Sequence, residues 1–439
     1  MNARTATLPR RVGIAGQDAS AAFWEAVAEI RIRQARSRPT GVEITLTSTP
    51  RALPSAGAVG DELELELGDG ALRFVGDITT VSRHHDTTGI QVLRIRAFDR
   101  LHRLRHHQTV RSFTESEPAA IARQVLAGAA LDLDADGTWT RLDLRSQHRE
   151  NDLAFLAGLL DRIGGHLDVD GTTARLRGYA SAGDTVTLTL GSDLTELTTS
   201  ATSEGVADVV HAMAWDPARA EAVQVSVDAP TAGPDVEIEP GDLGQERWLH
   251  DTGSLDVESA RAEAQAVLDR SRSSAVRMSG RAIGRPDLRP GVRCEFLDHS
   301  GRHLGAHTLA VVDHRLTGAG LVSELSTHPP PAPEGSGGAS GTRVVRAVVT
   351  AVDDPEGRGR IRLVLPTMGG ATSPWLDVVH PGASDERGLI AVPASDDVVL
   401  AIFPEGDLAR GVVIGGLLGR AGPARGVVDG QRVVRHVWN

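Results

Sequence analysis

The segment ELELELGDGALRF, residues 62–74, decides the fold class because leucine and glutamate alternate strictly ahead of a glycine-rich turn. Strict alternation places the three leucines on one face of a β-strand and the glutamates on the opposite, hydrated face. The turn at residues 68–70 reverses the chain, and a second run begins at Leu72. The segment therefore predicts a β-hairpin with one buried face.

Further segments with the same period lie on both sides of this hairpin. Apolar and polar residues alternate in residues 28–32, 42–46, 92–97, 167–169 and 174–176. A series of such strands, separated by turns, is typical of antiparallel barrels and sandwiches. The chain is therefore predicted to be mainly β.

The apolar period changes to that of a helix in three places. Residues 118–129 follow a Ser-Glu-Pro start signal, and residues 150–164 carry a leucine stripe that Gly164 and Gly165 would end. Residues 257–272 are rich in alanine and glutamate. We expect a helix in each place, between and after the first strands.

The clearest domain boundary is HPPPAPEGSGGASGT, residues 328–342. Three prolines stiffen the chain and the glycine and serine run then loosens it, which is typical of a linker. Short alternating strands resume in residues 343–419, and about five of them in so short a block fit a small barrel of the OB type.

Composition narrows the function classes. The chain has 439 residues, a formal net charge of −12 and 3% aromatic residues. An acidic balance argues against nonspecific phosphate binding, and few aromatics argue against stacking platforms for sugars or single strands. Cys294 is the only cysteine, so no intramolecular disulfide is expected, and its strand-like context predicts a buried side chain.

Residues 343–416 resemble the OB-fold domain of the valine-glycine-repeat (VgrG) and contractile-tail baseplate hub-spike family. The resemblance rests on the order and spacing of turn and core residues. They include Val349, Asp354, Pro355, Gly359, Arg360, Pro366, Ser373, Pro374, Trp375, Gly388, Pro393, Asp397, Phe403, Gly406, Asp407 and Gly415.

The N-terminal part resembles the late-control protein D-like hub of the same family. Its most specific match is QHRENDLAFL, residues 147–156, which includes Glu150, Asp152 and Phe155. Family members usually have Glu-Ser-Asp where this chain has Glu-Asn-Asp. Further matches lie at residues 74–78, 97–101, 111–113, 215–217 and 284–291.

The resemblance implies a mainly β chain with a few helices, built from two barrel-like hub units with a helical insert, an OB-fold barrel and the start of a trimeric β-helix. The implied domains are a first hub unit at 1–110, the insert at 111–200, a second hub unit at 201–327, the linker at 328–342, the OB-fold at 343–419 and the spike start at 420–439. Only about 20 residues follow the OB-fold, fewer than the family's spikes usually have.

The implied function is structural, without enzymatic activity or cofactor. A homotrimer would act as hub and spike base of a contractile injection system, and would adapt the hexameric inner tube to a trimeric membrane-piercing tip. Its partners would be itself, the inner tube protein, baseplate proteins, a tip protein and effector cargo, with a target membrane only on firing and no nucleic acid. Residues 1–11 lack the apolar run of a signal peptide. We therefore expect assembly in the bacterial cytoplasm, with extracellular release or injection on firing.

Two alternative functions stay open. A spike carrying a cell-wall hydrolase or effector activity would need an additional domain, for which the linker and OB-fold leave no room. An OB-type oligomer-binding module could use Arg358, Arg360 and Arg362 beside Trp375. We expect those arginines to meet acidic partners or neighbouring protomers instead.

A weak metal candidate is the run Asp132, Asp134, Asp136 with Asp143, which resembles a calcium loop. The closing residue is aspartate rather than glutamate, and the bulky Trp139 follows the run, so we interpret it as an acidic turn. His102, His106 and His107 have helical spacing but no third ligand nearby, which favours a solvated face. Glu150 and Asp152 are expected to cap a helix.

Overall fold

The computed structural model describes residues 10–48, 57–85, 87, 89–147, 150–179, 185–216, 219, 221–231, 233, 235–236, 241, 244–250, 256–328, 341–381, 389–406 and 408–417. The chain forms two compact units. The first unit comprises residues 1–108, 116–142 and 150–336, and the second comprises 109–115, 143–149 and 337–439.

The strands up to the second predicted helix are β1 (Arg10–Ile14), β2 (Gln17–Asp18), β3 (Val27–Ala35), β4 (Gly41–Ser48), β5 (Glu62–Leu67), β6 (Leu72–His85), β7 (Gln91–Asp99), β8 (Arg111–Ser116), β9 (Asp132–Asp136) and β10 (Leu142–Gln147). The next strands are β11 (Gly165–Asp170), β12 (Thr173–Gly178), β13 (Thr185–Thr189), β14 (Leu194–Ala201), β15 (Val209–Asp216), β16 (Glu221–Val227), β17 (Asp235–Val236) and β18 (Glu246–Leu249). The last are β19 (Val276–Ile283), β20 (Arg293–Leu297), β21 (His303–Thr308), β22 (Val311–Thr317), β23 (Gly320–Ser326), β24 (Arg343–Ala351), β25 (Arg362–Leu365), β26 (Ala371–Thr372), β27 (Asp377–Val378), β28 (Val398–Phe403) and β29 (Val412–Gly416).

The α-helices of the described residues are α1 (Ala21–Ala26), α2 (Pro118–Ala127), α3 (Asp152–Ile163) and α4 (Val257–Ala275). The last three confirm the helices predicted from sequence, and Gly164 ends α3 in the left-handed conformation with φ of 64°. Short 3-10 helices include Arg100–Arg105 and Pro366–Met368. None of the described helices is long and apolar enough to span a membrane.

The main sheet of the first unit has eleven strands in the described residues, in the order β14-β19-β23-β22-β3-β4-β7-β6-β5-β1-β2. Its eight strands from β14 to β6 form two repeats. Repeat B contains β14, β19, β22 and β23, and repeat A contains β3, β4, β6 and β7. Numbered along the chain within each repeat, the strands lie side by side in the order first, second, fourth, third: β14-β19-β23-β22 in repeat B and β3-β4-β7-β6 in repeat A. The sheet therefore contains one topology twice, head to tail.

The two repeats meet where β22 pairs antiparallel with β3, and we call this pairing the inner joint. The buried faces of both repeats are aliphatic. Repeat A buries Ile30, Ile32, Ile44, Leu46, Leu93 and Ile95 with the leucines of β5, and repeat B buries Met278, Val312 and Leu325 with Phe296 and Cys294. The alternation of residues 62–67 is confirmed, because all three leucines are fully buried.

Three smaller sheets complete the described part of the first unit. They have the orders β11-β12-β9, β16-β15-β18 and β13-β20-β21-β17. The sheet of β15, β16 and β18 covers α4, and alanines and Leu268 of the helix pack against its valines. The alanine-rich sequence of α4 allows this close approach of helix and sheet.

The second unit contains a six-stranded sheet in the order β26-β25-β24-β28-β29-β27. Its core combines Val349, Ile361, Leu363, Leu365, Phe403 and Val413, all fully buried. The two-stranded pair of β8 and β10 lies almost wholly in this unit, although the sequence interpretation assigned it to the hub insert.

The prediction of a mainly β chain with a few helices and an OB-type barrel in its C-terminal part is confirmed. The domain boundaries themselves stay predictions. Most of the linker, residues 329–340, and the spike start at 420–439 lie outside the described residues.

Candidate functional site

The start of α3 is organised by Asn151 rather than by the carboxylates predicted to cap it. The Asn151 side chain accepts a hydrogen bond from the Ala154 amide at 2.9 Å. Asp152 is buried in the first turn, where its own amide donates to the His107 carbonyl at 2.9 Å. Asparagine and serine are both strong N-cap residues, so the departure from the family's usual serine conserves the cap. Phe155 anchors the turn and is fully buried.

The acidic run at residues 132–136 is a β-strand, β9, rather than the turn that we expected. It lies parallel to β12, which places Asp134 opposite Arg175 and Asp136 opposite Arg177. Arg177 donates to the Asp134 carboxylate at 2.7 Å. Asp134 is thus paired with an arginine, and the three carboxylates are spread along an extended strand rather than gathered by a loop.

Arg175 contacts carboxylates of the neighbouring strand β11. It binds Asp170 and lies 3.6 Å from a carboxylate oxygen of Asp168. Burial raises the pKa of Asp168 to about 6, against the opposing charge of Arg175. The side chain of Asp143 lies outside the described residues. Within the described residues, no group of three or more His, Cys, Asp or Glu side chains is placed to hold a metal ion.

His102 is buried, which corrects the prediction of a solvated histidine face, whereas His106 and His107 are exposed. Its Nδ1 bonds to the carbonyl oxygen of Asp99 at 2.7 Å. The Asp99 carboxylate accepts hydrogen bonds from the amides of Thr40 at 2.7 Å and Leu101 at 3.0 Å. Burial raises the pKa of Asp99 to about 7. These contacts fix the corner between β7 and the 3-10 helix, so their role is structural.

The arginines of the OB unit are bound within their own unit. Asp354 accepts two hydrogen bonds from the Arg360 guanidinium, at 2.8 and 3.0 Å, and further bonds from backbone amides of its turn. These contacts lower the pKa of Asp354. Gly359 permits the turn with φ of 73°. Arg362 lies over the Trp375 ring at 5.0 Å. Arg360 is thus held by a carboxylate of its own unit, whereas Arg362 is exposed, and the expectation that these arginines meet acidic partners or neighbouring protomers stays a prediction.

The remaining OB motif residues shape turns and core. Pro366 begins a 3-10 helix, and the Asp397 carboxylate accepts from the Ala394 amide at 2.8 Å near Pro393. Phe403 is fully buried, and Gly406 and Gly415 adopt positive φ of 73° and 154°. Glu150 is half-buried at the start of α3. Asp407 lies outside the described residues.

The outward face of the main sheet carries ion pairs that we did not predict. Arg31 binds Asp313 across the inner joint through two nitrogens, at 2.6 to 3.1 Å. Arg96 binds Glu43 at 2.8 Å, and Arg281 lies 3.4 Å from Glu324. The polar positions of each alternating strand were visible in the sequence, but their partners lie on strands far away along the chain.

The main sheet has two open ends in the described part of the chain. β14 forms a ladder only with β19, apart from an isolated bridge between Leu194 and Leu190 at its start. β6 pairs with β5 only over Leu72–Asp77, so residues 79–85 have no partner on that edge. A sheet of two head-to-tail repeats with open ends, together with an OB-type barrel, is the architecture that the resemblance implies for a hub with a spike base.

Comparison with known families gives the same class. The model of the phage tail baseplate hub (GPD) matches residues 33–320. The model of the type VI secretion system/phage-baseplate injector OB domain matches residues 345–418. The chain belongs to the phage tail baseplate hub family, as a hub and spike-base protein of phage-tail or type VI-like systems. No curated protein sequence matches it.

Solved structures share the fold at low sequence identity. The 43 kDa tail protein of prophage MuSo2 from Shewanella oneidensis is 14% identical with a TM-score of 0.57, over 73% of this chain and 98% of that one. The E. coli c3393 protein, a type VI secretion component, is 14% identical with a TM-score of 0.58, over 94% and 99%. The Francisella PdpA–VgrG complex, lidded, is 7% identical with a TM-score of 0.56, over 96% and 72%.

Proposed function

We propose that three copies of the chain close into a ring that adapts a hexameric inner tube to a trimeric tip. The observation that carries this proposal is the repeated topology of the main sheet. Each chain supplies two repeats in head-to-tail order, so three chains supply six. A ring of six similar repeats matches a hexameric tube, while the chain as a whole has only threefold symmetry.

The inner joint supplies the template for contacts between chains. There, the third strand of repeat B, β22, pairs with the first strand of repeat A, β3. The corresponding strands at the open ends are β6, the third strand of repeat A, and β14, the first strand of repeat B. Residues 79–85 of β6 in one copy therefore pair with β14 of the next copy, which closes the ring and removes both exposed edges.

The role is mechanical rather than enzymatic. The OB unit is the base of the tip, and sheath contraction drives the tube and tip through a target envelope. The structural character of the matched families supports this role. The other partners are the inner tube protein, baseplate proteins, a tip protein and effector cargo. The solved PdpA–VgrG complex is a precedent for an additional bound protein. Assembly takes place in the bacterial cytoplasm.

Disulfide trapping tests the proposed contact. Ser82→Cys is combined in turn with Thr195→Cys, Thr198→Cys or Ser200→Cys. Three pairs are used because the structure of one chain does not fix the register between two copies. Cys294 is fully buried and its pKa is raised to about 12 by burial, so it does not compete. Oxidation is expected to give covalent dimers and trimers on a denaturing gel for at least one pair.

The matched control joins Ser82→Cys with Ser279→Cys on β19, an interior strand of the sheet. This pair is expected to stay monomeric on the gel. Cross-linking that is equal in the control and in all three pairs would contradict the proposed contact, and so would no cross-linking in any of the three.

A further inference from the structure

The sheet of β16, β15 and β18, which is separate from the main sheet, presents an exposed face with two tryptophans and a strand edge that is free in the described part of the chain. One face of this sheet is buried on α4. The opposite face carries Met213, Trp215 and Trp248, and the two tryptophans are 54% and 41% exposed. These are two of only six tryptophans in the chain. Neighbouring exposed aromatic residues on a sheet face often belong to an interaction site.

The two tryptophans have different surroundings. Trp248 stacks on His211 with ring centroids 4.2 Å apart, and His211 is held by Ser226 at 2.7 Å. These contacts fix the Trp248 ring against the sheet. Trp215 makes no ring contact in the described part of the chain. It lies opposite the small Ala222 of β16, so its ring borders the outer edge of the sheet.

β16 is the strand at this edge and has the sequence of a pairing template. Within the described residues it pairs only with β15, over all seven residues. Seven residues span about 20 Å at the rise of a strand. Residues 222–227, AVQVSV, contain no charge and no proline, although natural edge strands usually carry lysine, proline or a bulge to prevent pairing.

The charges at the two ends of β16 select the partner. Glu221 begins the strand and the exposed Asp228 follows it. Glu246 of β18 is also exposed, on the face of the sheet that carries Trp248. Arg219, beside the hairpin, lies 3.9 Å from Asp216. If β16 paired antiparallel with β16 of a second copy, Glu221 would lie beside Asp228 at both ends, which is unfavourable. A strand with basic ends gains attraction at the same two places.

We propose that the β16 edge and Trp215 bind an extended segment of a different protein by strand addition. The segment alternates apolar and polar residues, carries basic residues at both ends, and places one apolar side chain on the Trp215 ring. Main-chain hydrogen bonds supply the affinity and the ring supplies the side-chain preference. The surface lies outside the contacts proposed for ring closure, so it serves attachment of another component.

The test uses the full chain and three synthetic nonapeptides, with binding followed by fluorescence anisotropy. The probe alternates valine and threonine between terminal arginines. One comparison peptide has proline at its centre, and the other has terminal glutamates. The probe is expected to bind at least tenfold more tightly than either comparison peptide, because proline removes a main-chain donor and glutamate reverses the end charges.

Two variants locate the site on the chain. Trp215→Ala is expected to weaken probe binding about tenfold, the usual effect of losing an aromatic anchor. Gln224→Lys, which adds a charge to the exposed side of the edge, is expected to weaken it at least as much. Ser279→Lys on β19 adds the same charge to an interior strand and is expected to leave binding unchanged. Thermal unfolding of each variant checks that the fold is intact.

Three results would overturn the proposal. The first is no probe binding up to millimolar concentration. The second is a failure to discriminate, in which the probe binds no better than the proline peptide and wild type binds the probe no better than Gln224→Lys. The third is a change in oligomeric state, rather than in peptide binding, when Trp215 is replaced, because that would assign the edge to a second copy of this chain.

Discussion

The inner joint is formed by the third strand of repeat B and the first strand of repeat A, and the two open ends of the main sheet are the third strand of repeat A and the first strand of repeat B. In the described part of the chain, the first two strands pair with each other and the other two do not. At the joint, β22 pairs with β3 over six residue pairs. At the ends, β14 and residues 79–85 of β6 have free edges in the described part of the chain. In the proposed ring the two contacts are equivalent. A single chain completes one of them, and a second copy completes the other.

The joint also shows what a completed contact needs. Its buried face is filled by Ile30, Ile32 and Val312, which are fully buried. Its outward face is linked by Arg31 and Asp313. The open ends are more polar, with threonine or serine at half of the positions of β14. The joint is therefore expected to behave as part of the fold, and the ends as an interface between folded chains.

A proline that blocks the free edge of β14 is expected to have the largest effect, which is the loss of the trimer. Thr198 and Thr199 are neighbours, so one directs its amide at β19 and the other directs it outward, as alternate residues of an edge strand do. We expect proline at the outward position to convert the trimer to folded monomer, measured by light scattering at micromolar concentration.

Proline at the other position is the matched control, because it removes a bond to β19 and lowers thermal stability instead. If neither variant dissociates the trimer, β14 is not the contact and the equivalence between joint and ends fails.

Truncation of a core residue at the joint should destabilise the folded chain rather than dissociate the trimer. Ile32 pairs with His314 across the joint and is fully buried. Ile32→Ala is expected to lower the free energy of unfolding by about 2–5 kcal/mol because a cavity is left, and Ile32→Val by about 0.5–1.5 kcal/mol. Urea unfolding of the monomeric proline variant measures both. A loss below 1 kcal/mol for alanine would mean that the joint is not a packed contact.

Acid is expected to weaken the joint through His314. Its Nε2 donates to the Leu288 carbonyl at 2.9 Å, and its Nδ1 lies 2.8 Å from the Ser323 hydroxyl. Complete burial lowers the pKa of His314 to about 4. Between the unfolded pKa of about 6.5 and the folded value, the unfolded chain binds a proton that the folded chain does not.

The contribution of His314 is thus fully present above pH 6.5 and is lost as the pH falls towards 4. The expected loss is about 3 kcal/mol from this residue. His314→Gln should flatten the pH dependence relative to wild type, and the difference between the two curves isolates His314 from His307 and Asp99. Parallel curves for the two proteins would assign the acid sensitivity to other groups.

Loss of the Arg31–Asp313 ion pair is expected to have the smallest effect on the free energy of unfolding. Its side chains are 28% and 18% exposed, so solvent screens the interaction. Asp313→Asn should lower the free energy of unfolding by about 1 kcal/mol, and less in high salt. Glu43→Gln breaks the Arg96 pair within repeat A and serves as the control. A much larger loss at Asp313 than at Glu43 would indicate that the joint depends on charge more than on its aliphatic core.

Local features of this fold could be predicted from the sequence because period and turn signals are local. The strand and turn at 62–74, the leucine stripe of α3 and its glycine end are examples. Pairings between distant segments could not be predicted. Nothing in residues 27–35 indicates β22 as a partner some 280 residues later, and the grouping of β8 and β10 with the OB unit has no sequence signal.

The candidate site shows the same limit. The spacing of Asp132, Asp134 and Asp136 was clear, but spacing alone cannot separate a calcium loop from a strand in which Asp134 binds an arginine of β12. The cap of α3 could have been found, because asparagine is a strong N-cap residue and Asn151 stands directly before the helix. The resemblance to the hub family was recognised from turn and core residues, which report the fold rather than the contacts between chains.

The most direct test of the central claim is the native mass of the purified chain at micromolar concentration. Ring closure predicts three times the 46.3 kDa of one chain, with the outward proline variant in β14 at the mass of a single chain. A monomeric wild-type chain, or a dimer, would contradict the account, because two copies cannot present the six repeats that match a hexameric tube.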